Sequence, residues 1–252
     1  MTATKTHAYI LKVLPFRESS AIVYLFTEST GLIHGVARGI RSRKRGASTL
    51  LERGLLVETF VYFRPNRELH TLGNISVLEA FPETRASLLR TAVRDIAFEV
   101  ALSGIKVSDP HPELFGFFAK FLHYLESCTE SQAYPFALWR FLHRFPALLG
   151  FALGLERCIV CGDILPSGGE LDIAAGGLQC ASCGVKDKTN RFVSSVVIDT
   201  LTGRKREITE IQEQNIGRDL RRITRLLTHF CRYHFEIRND YRSLAFLEEI
   251  VE

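Results

Sequence analysis

No stretch of the chain is apolar for long enough to span a bilayer. Met1-Thr2-Ala3-Thr4-Lys5 runs straight into a strand-like segment, where a secretory signal would carry an uninterrupted apolar core. Membrane insertion and export are excluded on this reading, and a cytoplasmic location is expected. Catalytic signatures are scarce as well. There is no Gly-x-x-x-x-Gly-Lys-Ser/Thr loop to cradle phosphates, which excludes ATP hydrolysis by that route. No His-x-Glu accompanies the cysteines, which excludes a zinc deaminase. The eight histidines, His7, His34, His70, His111, His123, His143, His229 and His234, form no ligand-spaced pair beside a carboxylate. The expectation is a protein that is not an enzyme. The net charge is only +4, so a nucleic-acid site has to come from local clustering of cations, not from their total.

Cysteine is also sparse, and its placement is informative. Four of the six cysteines fall in Cys158-Ile-Val-Cys161-Gly162 and Cys180-Ala-Ser-Cys183-Gly184, two Cys-x-x-Cys knuckles separated by 18 residues. That spacing matches a four-thiolate metal site, each knuckle presenting two soft ligands and each glycine letting the backbone turn back. Two redox pairs or two disulfides are the competing explanation. A thioredoxin-like motif would occur once, at a strand-to-helix turn, and a cytoplasmic compartment favours metal-bound thiolates over disulfides. A catalytic zinc would keep one position open for water, whereas four cysteines close the site. The expectation is one structural zinc ion per chain, held by Cys158, Cys161, Cys180 and Cys183. Cys128 and Cys231 lack partners at ligand spacing and read as ordinary buried thiols.

With 252 residues and 46% hydrophobic content the chain can bury a substantial core and divide into two or three domains. From Ala8 to about Phe81 it reads as β-rich. Tyr9–Leu14, Ala21–Thr27, Leu32–Ala37, Leu55–Phe63 and Leu69–Leu78 are five short apolar or β-branched runs, with Ser29-Thr30-Gly31 as a hairpin and Arg64-Pro65-Asn66-Arg67 as a turn. Five such strands without a helical period suggest a small closed barrel, of which the oligonucleotide-binding OB-fold is the five-stranded member; an SH3-like barrel or a plain meander is the alternative. Between the third and fourth strands, Arg38, Arg41, Arg43, Lys44 and Arg45 place five cations in a segment with no carboxylate from Glu28 to Glu52. A phosphate backbone is the natural counterion; a solvated charge run is the bland alternative. Tyr24, Phe26, Tyr62 and Phe63 are candidate stacking platforms for bases, although strand aromatics more commonly fill cores.

After Phe81-Pro82 the period becomes helical. Leu88 to Ala101 predicts one helix, Leu114 to Leu125 a second, and Phe136 to Phe145 a third, the last two rich in Phe and Trp. That aromatic content reads as bundle core or, where it exceeds core needs, as a groove for a partner peptide. Beyond the cysteines, Ile216 to Phe230 keeps a helical apolar period. Arg218, Arg221, Arg222 and Arg225 fall largely on its other face, as a second phosphate-contacting surface or as a solvated one. A closing helix is expected from Tyr241 to about Ile250. The fold class is thus α+β, with an OB-fold barrel over 1–81. An α-helical domain spans 82–157 and 191–252, and a zinc-binding insertion spans 158–190.

Several of these stretches carry a resemblance in their order along the whole chain. They are Phe26-Thr27-Glu28-Ser29 followed by Gly31, Val36-Ala37-Arg38-Gly39-Ile40-Arg41, Leu69-His70-Thr71-Leu72, the Leu149-Gly150-Phe151 approach to Cys158, and Tyr241-Arg242-Ser243-Leu244. The chain resembles the bacterial recombination mediator family RecO. The resemblance implies an N-terminal OB-fold, a helical domain and a zinc-binding insertion, of which this chain keeps all four cysteines. It further implies binding of single- and double-stranded DNA, annealing of complementary strands, and replacement of single-strand-binding protein by recombinase in company with RecR, at the nucleoid and without catalysis. The C-terminal tail of single-strand-binding protein is an expected partner of the helical domain. For DNA contacts the resemblance implies only the basic Arg38 to Arg45 region already selected by charge. An RNA-binding accessory or translation-type factor, built from the same barrel and zinc knuckle, is the second functional class.

Overall fold

A computed structural model describes residues 3–40, 51–64, 66–184, 191–204 and 210–251, with 210–218 described as backbone alone. The chain divides into two compact units, one of Met1–Ala86 with Ile105–Glu126, the other of Ser87–Gly104 with Ser127–Glu252.

The first unit is built on five strands, β1 (Ala3–Phe16), β2 (Ser20–Thr27), β3 (Gly31–Ala37), β4 (Leu56–Tyr62) and β5 (Leu69–Glu79). They close into a barrel in the order β1-β2-β3-β5-β4, with β3 and β5 parallel and β4 returning to β1. This is the expected OB-fold barrel, and closure leaves no unpaired sheet edge. Alternation explains its interior: Ala8, Ile10, Val23, Leu25, Ile33, Val57, Val61 and Leu72 all point inward and are buried. A Cβ on Gly35 would meet the Leu72 side chain at 2.4 Å, so glycine at that position is what lets Leu72 fill the lumen. The β1–β2 register shifts between Ile10 and Lys12. Such a bulge bends a long strand enough for it to serve both β2 and β4.

One region of the barrel's outer face is covered. Tyr9 and Phe26, opposite each other on β1 and β2, are both buried. Helix α3 (Pro112–Ser127) lies over them, with Phe115 and Phe118 at ring-centroid distances of 5.2 and 5.9 Å from Tyr9 and 5.6 Å each from Phe26. The chain leading into α3 crosses so close to the β2–β3 turn that a Cβ on Gly31 would sit 2.0 Å from the Asp109 carbonyl oxygen. At its far end, the Glu126 carboxylate accepts hydrogen bonds from the backbone N–H groups of Glu83 and Thr84 and from the Thr84 hydroxyl. These satisfy the start of the short helix α1 (Pro82–Ala86). Helix α3, read from sequence as part of the helical domain, therefore belongs to the barrel's unit.

The second unit contains α2 (Leu88–Gly104), a kinked segment (Gln132–Ala137) with extended backbone at Tyr134 leading into α4 (Leu138–Leu148), three short strands β6 to β8, α5 (Ser195–Thr202), α6 (Glu210–His234) and α7 (Arg242–Ile250). Ala92, Val93, Ile96, Ala97, Val100 and Ala101 form the buried stripe of α2. In the core, the Thr224 hydroxyl donates to the Leu220 carbonyl and accepts from Trp139 Nε1 at 2.8 Å, while the Tyr134 hydroxyl lies 3.0 Å away. Trp139, Phe141 and Phe145 are fully buried, as are Phe118 and Leu122 in the other unit. Much of the aromatic content of these helices is accordingly core, while Phe115, Phe117 and Phe136 are half-buried and Tyr124 is exposed. Among the described residues no helix is long and apolar enough to cross a membrane.

Candidate nucleic-acid interface and metal centre

The four knuckle cysteines converge in the second unit, their sulfurs all within 4.8 Å of one another. In the first knuckle, Gly162 N–H closes on the Cys158 carbonyl at 2.9 Å with φ at +78°, a left-handed turn that favours glycine. In the second, Gly184 N–H closes on the Cys180 carbonyl at 2.8 Å, where a Cβ would crowd that same oxygen at 3.2 Å. The knuckles are positioned by a three-stranded sheet in the order β7-β6-β8, of Gly177–Gln179, Gly168–Asp172 and Phe192–Ser194. Ile159 N–H donates to the Leu178 carbonyl, and Gly177 has no Cβ to obstruct the Ile159 methyl group.

The geometry fits a metal ion and not disulfides. Cys161 and Cys180 sulfurs are 3.8 Å apart. The edge of a tetrahedron with metal–sulfur bonds of ~2.3 Å is ~3.8 Å, whereas a disulfide needs about 2.05 Å. All six cysteines are free thiols. Cys158 is buried, and its thiol is pushed down to about 6 by the backbone N–H groups of Cys161 and Cys180 directed at the sulfur. The Cys183 thiol is held up, first by its hydrogen bond with Cys180. One ready thiolate in a closed set of four sulfurs suits a resident metal and leaves no position for a substrate.

On the barrel, the four aromatic residues selected from sequence separate. Phe26 is buried under α3 and is removed from any base-stacking role. Phe63 packs against the barrel interior and, edge-on, against His70 at 4.8 Å. Tyr24 and Tyr62 are on the outer face, half-buried and 37% exposed respectively. Around Tyr24 the register assembles a row that sequence reasoning did not find: Lys12 pairs with Tyr24, and Tyr24 with His34. The Tyr24 and His34 rings are 4.2 Å apart and Lys12 Nζ lies 5.4 Å from the Tyr24 centroid. Burial pushes the His34 imidazole below its ordinary value, with Glu68 opposing and His70 assisting, so the ring is neutral near pH 7. The row offers two π-systems, their planes inclined at 47°, beside one ammonium. Outward alternation on β1, β2 and β3 was the available signal, but the pairing that brings the three side chains together is a matter of register.

Arg38 is exposed immediately beyond β3. Arg41, Arg43, Lys44 and Arg45 lie outside the described residues. The flanking residues Ile40 and Leu51 both pack on the barrel's core cluster, so the cationic segment leaves and rejoins the barrel itself.

The cations of α6 are differently placed. Arg225 makes a two-pronged ion pair with Glu248 of α7, Nε to Oε1 at 2.6 Å and Nη2 to Oε2 at 2.7 Å. Arg222 pairs with Asp219 at 3.0 Å and donates to the Phe192 carbonyl of β8. Arg232 pairs with Asp240. Arg221 is exposed and helps to hold the Glu248 carboxyl below its ordinary range; the Arg218 side chain lies outside the described residues.

Two family descriptions match the chain in tandem, "Recombination protein O N terminal" over residues 1–81 and "Recombination protein O C terminal" over residues 85–243. Among curated proteins, the DNA repair protein RecO of Syntrophobacter fumaroxidans is 36% identical over 168 residues, covering 66% of this chain and 65% of the relative. That of Prosthecochloris aestuarii is 32% identical over 161 residues, covering 64% and 60%. That of Salinibacter ruber is 26% identical over 251 residues, covering 98% and 94%. The matched region thus spans less than two thirds of the length of the first two relatives and nearly all of the third.

Proposed function

The chain belongs to the recombination protein O family, which places it in DNA repair, and on that premise we propose that it is a DNA-binding recombination mediator. It binds single- and double-stranded DNA through the barrel, anneals complementary strands, and helps recombinase replace single-strand-binding protein, working with RecR and through the acidic C-terminal tail of single-strand-binding protein. It acts at the nucleoid by binding, with no catalytic residue. The observation that carries the DNA-binding part is the Lys12–Tyr24–His34 row on registered strands of a barrel that also anchors the Arg38 to Arg45 segment. Stacking faces hold bases whatever their identity, and cations hold phosphates.

Competition between matched DNA and RNA oligonucleotides, with strand annealing measured alongside, tests this reading. The expected result is preference for DNA together with accelerated annealing. Preference for RNA without annealing would overturn it in favour of an RNA-binding accessory. For the protein contacts, removal of the terminal tail from single-strand-binding protein should abolish its association with this chain; unchanged affinity would remove the tail as a partner.

The metal is proposed to be a single structural zinc ion on Cys158, Cys161, Cys180 and Cys183. Zinc would there supply a fixed cross-link between the two knuckles and no reactive water. Metal analysis should find about one zinc per chain, and Cys180→Ser should lose the metal and lower the melting temperature while barrel-dependent DNA binding persists. Stoichiometric disulfides in protein purified without oxygen would exclude the site.

A further inference from the structure

We propose that Phe60, Tyr62 and Gly73 form a second base-stacking subsite on the barrel, on β4 and β5, where an unpaired DNA base lies on an aromatic floor apart from the Tyr24–His34 row. It rests on the nucleic-acid reading above and extends it from Tyr62, one of the aromatics that strand patterning marked, to the pair it forms with Phe60 over Gly73.

Along β4, Val57, Thr59 and Val61 are buried while Phe60 and Tyr62 point outward, each 37% exposed. An outward aromatic pair is costly to leave in water, and the barrel's other such pair, Tyr9 with Phe26, is fully buried under α3. Gly73 of β5 is what gives the β4 pair its shape. A Cβ there would stand 2.9 Å from Tyr62 Cε2 and 3.1 Å from Phe60 Cβ, so the absence of a side chain lets the Tyr62 ring rest against the neighbouring strand. The Tyr62 ring is thereby held beside Phe60 and left 37% exposed.

The surroundings select the ligand. Ala37, the last residue of β3, pairs with Leu72, so the exposed Arg38 follows at the level of Gly73. On the other flank Lys5 pairs with Phe60 in register, but its ammonium is already engaged 3.0 Å from the Glu58 carboxylate. Two outward aromatic rings with the exposed Arg38 to one side suit a polyanion that carries flat bases. Thr71, between Tyr62 and Val36 in the pairing, separates this floor from the Tyr24–His34 row. A strand crossing the barrel could thus be held by bases at two places.

The test uses the full chain and two single-stranded polymers of equal length, oligo-dT and an abasic strand with the same phosphates and no bases. For Phe60→Leu/Tyr62→Leu, affinity for oligo-dT should fall about tenfold, as for the loss of one stacked base. Affinity for the abasic strand and the salt slope for both should not change, because no phosphate contact is removed. Tyr62→Phe should bind as wild type. Gly73→Ala, which displaces the ring without removing it, should reproduce part of the loss and guards against a double variant that fails to fold. Equal loss on both polymers, or no loss on either, would overturn the subsite. If wild-type protein bound neither polymer, the DNA-binding reading itself would fail; if it bound both equally and the variants matched it, only the subsite would.

Discussion

The segment from Arg38 to Arg45 and the face of α6 from Arg218 to Arg232 look equally basic as sequence, yet the carboxylates within reach of each along the chain differ. The first has no carboxylate from Glu28 to Glu52. The second meets one at nearly every turn: Asp219 for Arg222, Glu248 for Arg225 and Asp240 for Arg232. A cation with a carboxylate in its own unit must give up that partner before it can hold a phosphate, whereas a cation without one gains its first counterion. Arginine density alone therefore does not locate a nucleic-acid site. What matters is how much of that charge the fold has already neutralised, and on α6 it is used to fasten α7 and β8.

The comparison breaks most visibly if the basic segment is removed. Arg43→Ala/Lys44→Ala/Arg45→Ala should weaken single-strand binding on the order of a hundredfold at low salt and flatten the salt slope by about 2 units, from about 0.7 per neutralised phosphate. Fluorescence anisotropy across a salt series would show this, and an unchanged slope would mean that the run is only solvated. Importing the α6 solution should have a smaller effect. Ser42→Glu places a carboxylate inside the run and should cost roughly tenfold in affinity, with the loss shrinking as salt screens the new pair.

The converse change on α6 should hardly touch DNA. Arg225→Ala should leave affinity within about twofold and lower stability by about 0.2–1 kcal/mol, the range for an exposed ion pair. A large loss of DNA affinity would instead make α6 part of the binding path. The smallest expected effect is on pH dependence. Hydrogen bonds from the Arg225 guanidinium hold the Glu248 carboxyl below its ordinary 4.5, with burial opposing. Because the folded value is the depressed one, the pair's contribution is complete above pH 4.5 and disappears as pH falls through the folded value. Denaturant midpoints on either side of pH 4.5 should therefore decline less steeply toward acid in Arg225→Ala than in wild type.

The barrel was legible because period-two patterning names both the strands and their inward residues, from Val23 to Leu72. The knuckles were legible because four-thiolate chemistry constrains spacing. Alternation cannot say whether an outward residue is covered: Phe26 and Tyr24 are equivalent in pattern, but α3 buries one and leaves the other half-exposed. The four consecutive buried residues Ala8, Tyr9, Ile10 and Leu11 were the trace of that cover, since a strand open to water on one face would not show them. Helix α5 escaped notice because Ser-Val-Val-Ile-Asp-Thr-Leu-Thr is β-branched enough to read as a strand, and only its left-handed stop at Gly203 marks a helix end. The strands β6 to β8 are short, and β6 and β7 each begin with glycine, so packing and the cysteine knuckles define them more than propensity does.

The interleaving of the two units also bears on how the chain is made. Residues Met1–Ala86 emerge from the ribosome before Ile105–Glu126, which complete the same unit. At about 5–20 residues per second, roughly 2–8 s separate Ala86 from Glu126. During that interval a nascent barrel would display Tyr9 and Phe26 with no helix above them, an adhesive patch at the moment when other chains are nearby. A fragment ending at Ala86 would carry the same patch permanently, because the helix that covers it lies in Ile105–Glu126, beyond a stretch that belongs to the other unit.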